Sequence, residues 1–233
     1  MQRSVPDNPG GIFGGWDPRQ RFLRRLTDAG RVLEIGCGRG ENCALLRKLH
    51  PQVEIHGLDL LPPAEVPDYI HYQQHDLERD PLPYPDAYFH AILLIHVLEH
   101  LHFPVRLCSE IQRLLTPGGS LYVEAPNYTS ILVPSFSLNR HQHHPFNFFD
   151  DIEHVRPYTK QALYEFVERC ALHLGKVANA RNWLRFPLDL IAFPLALLRG
   201  DRPQAVRRFW NLWGWCIFAI GTKEALPKMD KNL

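Results

Sequence analysis

The sequence predicts a doubly wound, mostly parallel α/β sheet of seven strands, with helices on both faces and a hydrophobic insert before the last strand. Three observations predict it. Short apolar, β-branched runs alternate with segments of helical period, the pattern of parallel strands joined by crossover helices. The first such run, Val32 to Ile35, ends in glycines at 36, 38 and 40, as a strand feeding a tight turn does. The 233 residues, 45% hydrophobic and 22% charged, suffice for one core and are too few for several.

Asp17 followed by Pro18 reads as an N-cap with proline at the first helical position, and Phe22, Leu23 and Leu26 form the apolar face of a helix that Gly30 stops. Arg19, Arg21, Arg24 and Arg25 read as its solvated face, with anionic lipid as another possible contact. Strands are expected at 31–35, 53–58, 69–74, 89–95 and 120–124, and helices at 41–49 and 105–115, the latter closed by Thr116-Pro117-Gly118-Gly119. Three prolines in the nine residues 60–68 exclude a crossover helix there, so an extended connection is expected. A long polar and aromatic stretch, 128–158, precedes a helix at 159–172. Two last strands, 173–180 and 216–222, flank an insert rich in Trp, Phe, Leu and Arg.

Composition narrows the function. Lys+Arg 26 against Asp+Glu 25 gives a net charge of +1, without the basic field of a nucleic-acid binder. Five scattered cysteines without a CxxC pair fit neither a disulfide framework nor a zinc ribbon, which implies a reducing, cytoplasmic setting. No secretory signal is read in the first twenty residues, and the longest apolar stretches, 186–198 and 209–220, are too short to span a bilayer.

The glycine turn carries the chemistry. Glycines at 36, 38 and 40 let backbone approach a ligand, since a Cβ would occupy the ligand's volume. Glu41 stands at the helix N-terminus where a pyrophosphate would sit, which disfavours NAD or FAD and suits a ligand with an amino-acid end and a nucleoside end.

The segments Val32-Leu-Glu-Ile-Gly-Cys-Gly-Arg-Gly40, Gly57-Leu-Asp59, His75-Asp76-Leu77, Ile95-His-Val-Leu-Glu-His100 and Leu115 to Glu124 occur in one order over residues 30–127. Together they resemble the class I S-adenosylmethionine-dependent methyltransferases, in the branch of small-molecule, quinone and glycan methyltransferases. His154-Val-Arg-Pro-Tyr-Thr159 extends the likeness. The resemblance implies a Rossmann-like fold and S-adenosyl-L-methionine as cofactor, with Glu34 on its methionyl ammonium, Asp59 on the ribose hydroxyls, and Asp76 and Leu77 at the adenine. Gly36, Cys37, Gly38, Gly40 and Leu60 complete the expected cofactor site, with His96 as a wall of its pocket. In some quinone-pathway relatives the acidic and His cluster after this strand binds a divalent metal. Here His96 stands where an acid is expected, so no metal is expected. A turn-capping role is the other reading of each carboxylate.

The loop 139–154 holds four histidines without a metalloenzyme spacing and reads as a substrate lid. Its His154, in a His-x-x-x-Tyr-Thr stretch, is the leading general base, with His144 and Tyr158 behind it and a structural histidine as the alternative. The expected organisation is a single methyltransferase domain over 1–233: an N-terminal helix region 1–30, a cofactor-binding core 31–127, a lid 128–158 and an apolar insert 181–215. The expected acceptor is a small molecule, a glycan or a lipid-linked compound methylated at oxygen. A non-catalytic binding or scaffold protein and a nicotinamide-dependent oxidoreductase are the competing classes. For the insert, a cap over the acceptor cavity or a homodimer surface is preferred to peripheral contact with the inner face of a membrane, because Pro187 and Pro194 should break any long amphipathic helix.

Overall fold

A computed structural model describes residues 17–26, 30–133, 135 and 146–225. Seven strands form one sheet in the order β3-β2-β1-β4-β5-β7-β6. These are β1 (Arg31–Ile35), β2 (Glu54–Asp59), β3 (His71–Gln74), β4 (Phe89–Ile95), β5 (Leu115–Pro126), β6 (His173–Asn179) and β7 (Cys216–Thr222). The first five pair in parallel, and β7 runs antiparallel to both β5 and β6. The chain builds outward from β1 to β3, then returns to place β4 on the other side of β1. The carboxyl ends of β1 and β4 therefore flank the switch point at which open α/β sheets bind ligands.

Six helices surround the sheet among the described residues: α1 (Pro18–Leu23), α2 (Glu41–Leu49), α3 (Arg106–Leu114), α4 (Lys160–Arg169), α5 (Phe186–Leu198) and α6 (Arg202–Trp213). The alternation of each central strand divides the core in two. Leu33 and Ile35, Ile92 and Leu94, Leu121 and Val123 pack with α3 and α4. Val32, Ala91, Leu93 and Tyr122 pack on the opposite face with Phe22 and Leu23 of α1 and Cys43 and Leu46 of α2. The period of two places Glu34 and Glu124 on this second face, and both are buried.

Several expectations change in detail. The α1 helix starts where expected, with the Asp17 side chain accepting from the Gln20 amide, but ends at Leu23. The β5 strand begins at Leu115 and absorbs the Thr-Pro-Gly-Gly turn, which the sheet accommodates by a register shift between Phe89 and Ala91. The proline-rich connection after β2 contains a 3-10 turn, Pro63–Glu65. Pro194 does not break α5 but lies inside it. The residue is exposed, and so is Leu190, whose carbonyl it deprives of a helical donor.

Candidate active site

A cavity of about 790 Å³ opens at the carboxyl edge of the sheet, beside the switch point. Glu34, Gly36, Cys37, Gly38, Asp59, Leu60, Asp76, Leu77 and His96 line it, and so do His154, Trp210 and Trp215. Gly40 and Tyr158 stand apart from it. Gly40 is outside the lining; a Cβ there would meet Ile70 Cδ1 at 2.7 Å. Tyr158 is buried away from the cavity with its hydroxyl donating to the Leu98 carbonyl (3.1 Å), which corrects its candidacy as a base. His144 lies outside the described residues.

The three glycines do different work from the expectation. All have positive φ, at 72°, 51° and 81°. A Cβ on Gly36 would lie 2.3 Å from Val97 Cγ2, so its bareness serves packing, as that of Gly40 does. Only at Gly38 is the space open, with the nearest atom, Glu41 Oε2, at 3.7 Å. The Gly38 amide donates to Asp59 Oδ2 (2.7 Å) and the Leu61 amide to Asp59 Oδ1 (3.1 Å). Asp59 thus ties the turn after β1 to the end of β2 and faces the cavity with a fixed carboxylate. Asp76 accepts from the Glu78 amide and pairs with Arg79 (2.9 Å). Burial pushes the Cys37 thiol up to about 12, so it lines the pocket as a neutral group.

A chain of polar contacts crosses the cavity floor. Asn42 donates to Glu34 Oε1 (2.6 Å) and accepts from Arg19 (3.0 Å), whose other terminal nitrogen pairs with Glu124 Oε1 at 2.6 Å. The Tyr122 hydroxyl donates to the second Glu124 oxygen (2.6 Å). His96 continues the chain, with Nε2 at 3.6 Å from Glu124 and Nδ1 at 3.1 Å from Glu99. Burial alone would depress the His96 ring, but the Cys216 sulfur and the two carboxylates raise it well above its usual value. The residue is held at a strained φ of 55° at the end of β4, with its ring between the two carboxylates. Arg19, Glu124 and Asn42 have no site role in the sequence reading, whereas Glu99 belongs to the acidic and His cluster that it does single out. Arg19 corrects the reading of a solvated arginine face: it precedes Phe22 and Leu23 by three and four residues, which puts it on the buried side of α1.

His154 forms another part of the cavity wall. Asn147 and Asp150 form a capping box around the 3-10 turn Phe148–Asp150. That turn aims the Phe148 carbonyl at His154 Nδ1, 2.7 Å away. A carbonyl only accepts, so Nδ1 carries the proton and Nε2 keeps its lone pair. The ring stacks on Phe148 (4.5 Å between centroids), and burial lowers its pKa, so His154 is neutral at pH 7. Fully buried Glu99 keeps one carboxylate oxygen without a hydrogen-bond partner, beside this wall. Glu99, His100 and His154 bring donor atoms close enough to share an ion, and so do His96, Glu124 and Cys216.

The profile of a methyltransferase domain family matches residues 15–172. A trans-aconitate 2-methyltransferase of Pseudomonas paraeruginosa is 30% identical over 136 residues, which are 48% of this chain and 47% of that protein. A demethylmenaquinone methyltransferase of Deinococcus radiodurans is 33% identical over 122 residues, 48% and 49% of the two chains. The chain spans about half the length of the curated relatives it matches. Among solved structures, an S-adenosylmethionine dependent methyltransferase from Mesorhizobium loti superposes with a TM-score of 0.59 at 18% identity, covering 90% of this chain and all of that one. A SAM dependent methyltransferase from Archaeoglobus fulgidus gives 0.58 at 19% identity, covering 88% and 90%. At these identities the likeness concerns the fold.

Proposed function

This chain belongs to the class I S-adenosylmethionine-dependent methyltransferases, and from that premise we propose that it transfers a methyl group to the oxygen of a small-molecule or lipid-linked acceptor, with His154 as general base. One observation carries the reading. A single cavity is lined by Glu34, Gly38 and Asp59 and also by His154, whose Nδ1 is taken by the Phe148 carbonyl.

The residues fit the cofactor by their chemistry. Asp59 offers acceptor lone pairs suited to the two ribose hydroxyls, Gly38 leaves room for close approach, and Glu34 offers a carboxylate to the methionyl ammonium. Asp76 and Leu77 suit the adenine amine and ring face. When bound, S-adenosylmethionine supplies an electrophilic methyl whose leaving group departs as a neutral thioether, so the protein need not protonate it. The remaining tasks are alignment and removal of the acceptor proton. Burial around His154 keeps Nε2 unprotonated and poised for that removal. Trp210 and Trp215, stacked at 4.5 Å and 8°, give the acceptor side an aromatic wall. That wall suits a flat or apolar acceptor.

The test is incubation with methyl-labelled cofactor and a lipid-plus-metabolite extract. Label should appear in one organic acceptor as a base-stable methyl ether or an ester. Cofactor binding without label transfer would favour a scaffold role, and a labelled amine would remove the need for a base.

Glu34 makes this binding pH-dependent. Burial pushes its carboxyl up to about 7, against the opposing hydrogen bonds from Cys43 and Asn42. An ammonium requires the ionised form, so affinity should rise as pH increases through this value. Between about pH 8 and pH 6 we expect affinity to fall by roughly tenfold, and Glu34→Gln should flatten the dependence while weakening binding. The same shift makes the ligand-free protein lose stability as pH rises from the ordinary carboxylate range to about 7, because ionising the buried group opposes folding. Titrations at several pH values check the first effect. A pH-independent affinity would remove Glu34 from the ammonium site.

A further inference from the structure

The α5 helix is turned inside out. Its buried residues are Asp189 and Ala196. Asp189 points into the protein, where it pairs with Arg208 (2.6 Å) and accepts from the Asn211 side chain (2.7 Å), both on α6. Leu184, just before the helix, and Leu188, Ile191, Leu195 and Leu198 within it recur at steps of four and three residues and are exposed, Ile191 by 66% and Leu198 by 84%. This spacing draws one continuous apolar stripe along the outer face. The insert does pack on its own domain through its other side: Ala196, Ala205 and Val206 meet Val133 and Phe146. That contact leaves the stripe uncovered, and an apolar surface of this kind on a folded chain marks an interaction face.

The charges around the stripe select its partner. Arg185 and Arg199 cap the two ends of α5, and Arg207 stands on α6; all three are exposed. Of the two acids of the insert, Asp189 is spent inward on Arg208, and the exposed Asp201 is engaged as the N-cap of α6, accepting from the Gln204 amide. A second copy of the chain docked on this face by a two-fold axis would bring three exposed arginines against three others, with Asp201, already engaged as a helix cap, the one exposed acid of each insert to offset them. A surface that is apolar beneath and anionic above satisfies both features.

We propose that α5 docks on an anionic lipid bilayer. It lies in the plane of the interface with Leu188, Ile191 and Leu195 at the acyl boundary and Arg185 and Arg199 on lipid phosphates. The helix does not span. Its 13 residues reach about 20 Å, short of a hydrocarbon core of about 30 Å. No helix among the described residues is long and apolar enough to cross a membrane. The apparent conflict of Pro187 and Pro194 with a surface helix disappears, because α5 carries both.

The test is co-sedimentation of the full chain with vesicles of phosphatidylglycerol and phosphatidylcholine, with phosphatidylcholine alone, and in each case at low salt and at about 0.5 M salt. The protein should pellet with the anionic vesicles at low salt and be released by high salt. The exposed double variants Ile191→Glu/Leu195→Glu and Arg185→Glu/Arg199→Glu should each lower the partition coefficient by about tenfold or more. Their unchanged thermal melting and cofactor titration would show that the fold and the site are intact. A wild-type protein that stays in the supernatant at low salt overturns the proposal, as does equal pelleting of both double variants. Sedimentation velocity supplies the last arm. A dimer that Ile191→Glu/Leu195→Glu splits, without vesicle binding, would assign the face to a second copy instead.

Discussion

Replacement of His154 by alanine is expected to lower turnover by about 10² to 10⁴, the range for loss of a general base. The expectation rests on the proposed hydroxyl acceptor and on one geometric fact. Nδ1 is committed to the Phe148 carbonyl at 2.7 Å, so the base function falls to Nε2. Because burial lowers the His154 pKa, the acid limb of the kcat profile should lie below pH 6.5, and it should vanish in the variant. Cofactor affinity should change little, since His154 makes no contact with Asp59 or Glu34 and is held by Phe148. Single-turnover rates with the labelled acceptor check this. A loss smaller than about threefold would leave the ring a packing role against Phe148 and His100.

Gly36→Ala should destabilise the fold by about 2 to 5 kcal/mol. The left-handed backbone costs a non-glycine residue about 1 to 2 kcal/mol, and overpacking of a core typically adds about 1 to 3. The new Cβ would stand 2.3 Å from Val97 Cγ2, and Val97 is buried and β-branched, with little freedom to turn away. Gly38→Ala provides the contrast. Its backbone also has positive φ, but the neighbouring space is open, so about 1 to 2 kcal/mol of strain is expected together with weakened cofactor binding. Urea unfolding of the two variants distinguishes the positions. Equal stability losses would contradict the assignment of Gly36 to packing and Gly38 to ligand approach.

The contrast shows what a sequence can and cannot carry. A glycine-rich turn after a buried strand announces backbone in an unusual conformation, and all three glycines have it. Which of them faces a ligand depends on Val97 and Ile70, side chains brought in from β4's end and from the loop before β3, so spacing alone could not separate them. Glu34 and Asp59 were legible because each ends a strand at the sheet's carboxyl edge, where the fold itself dictates exposure to the cavity. Glu124 had a weaker signal. It lies in an apolar central strand, where a charge must be partnered, but the partner is Arg19 from a helix distant in the chain. Arg19 was hidden by its three arginine neighbours, although its spacing to Phe22 and Leu23 marked it. The inverted face of α5 had no local signal. The helix is apolar nearly all round, so its orientation was set by Asp189 finding Arg208 and Asn211 on α6, a tertiary choice.

Calorimetric titration of S-adenosylmethionine into the wild-type chain and into Asp59→Ala tests the central claim most directly. The cavity geometry predicts saturable one-to-one binding to the wild type. Loss of the Asp59 carboxylate, which fixes the Gly38 turn and is proposed to meet the ribose, should weaken it by roughly ten- to a hundredfold. Absence of binding to the folded wild-type chain, or an affinity unchanged by the substitution, would contradict the assignment of this cavity to the cofactor.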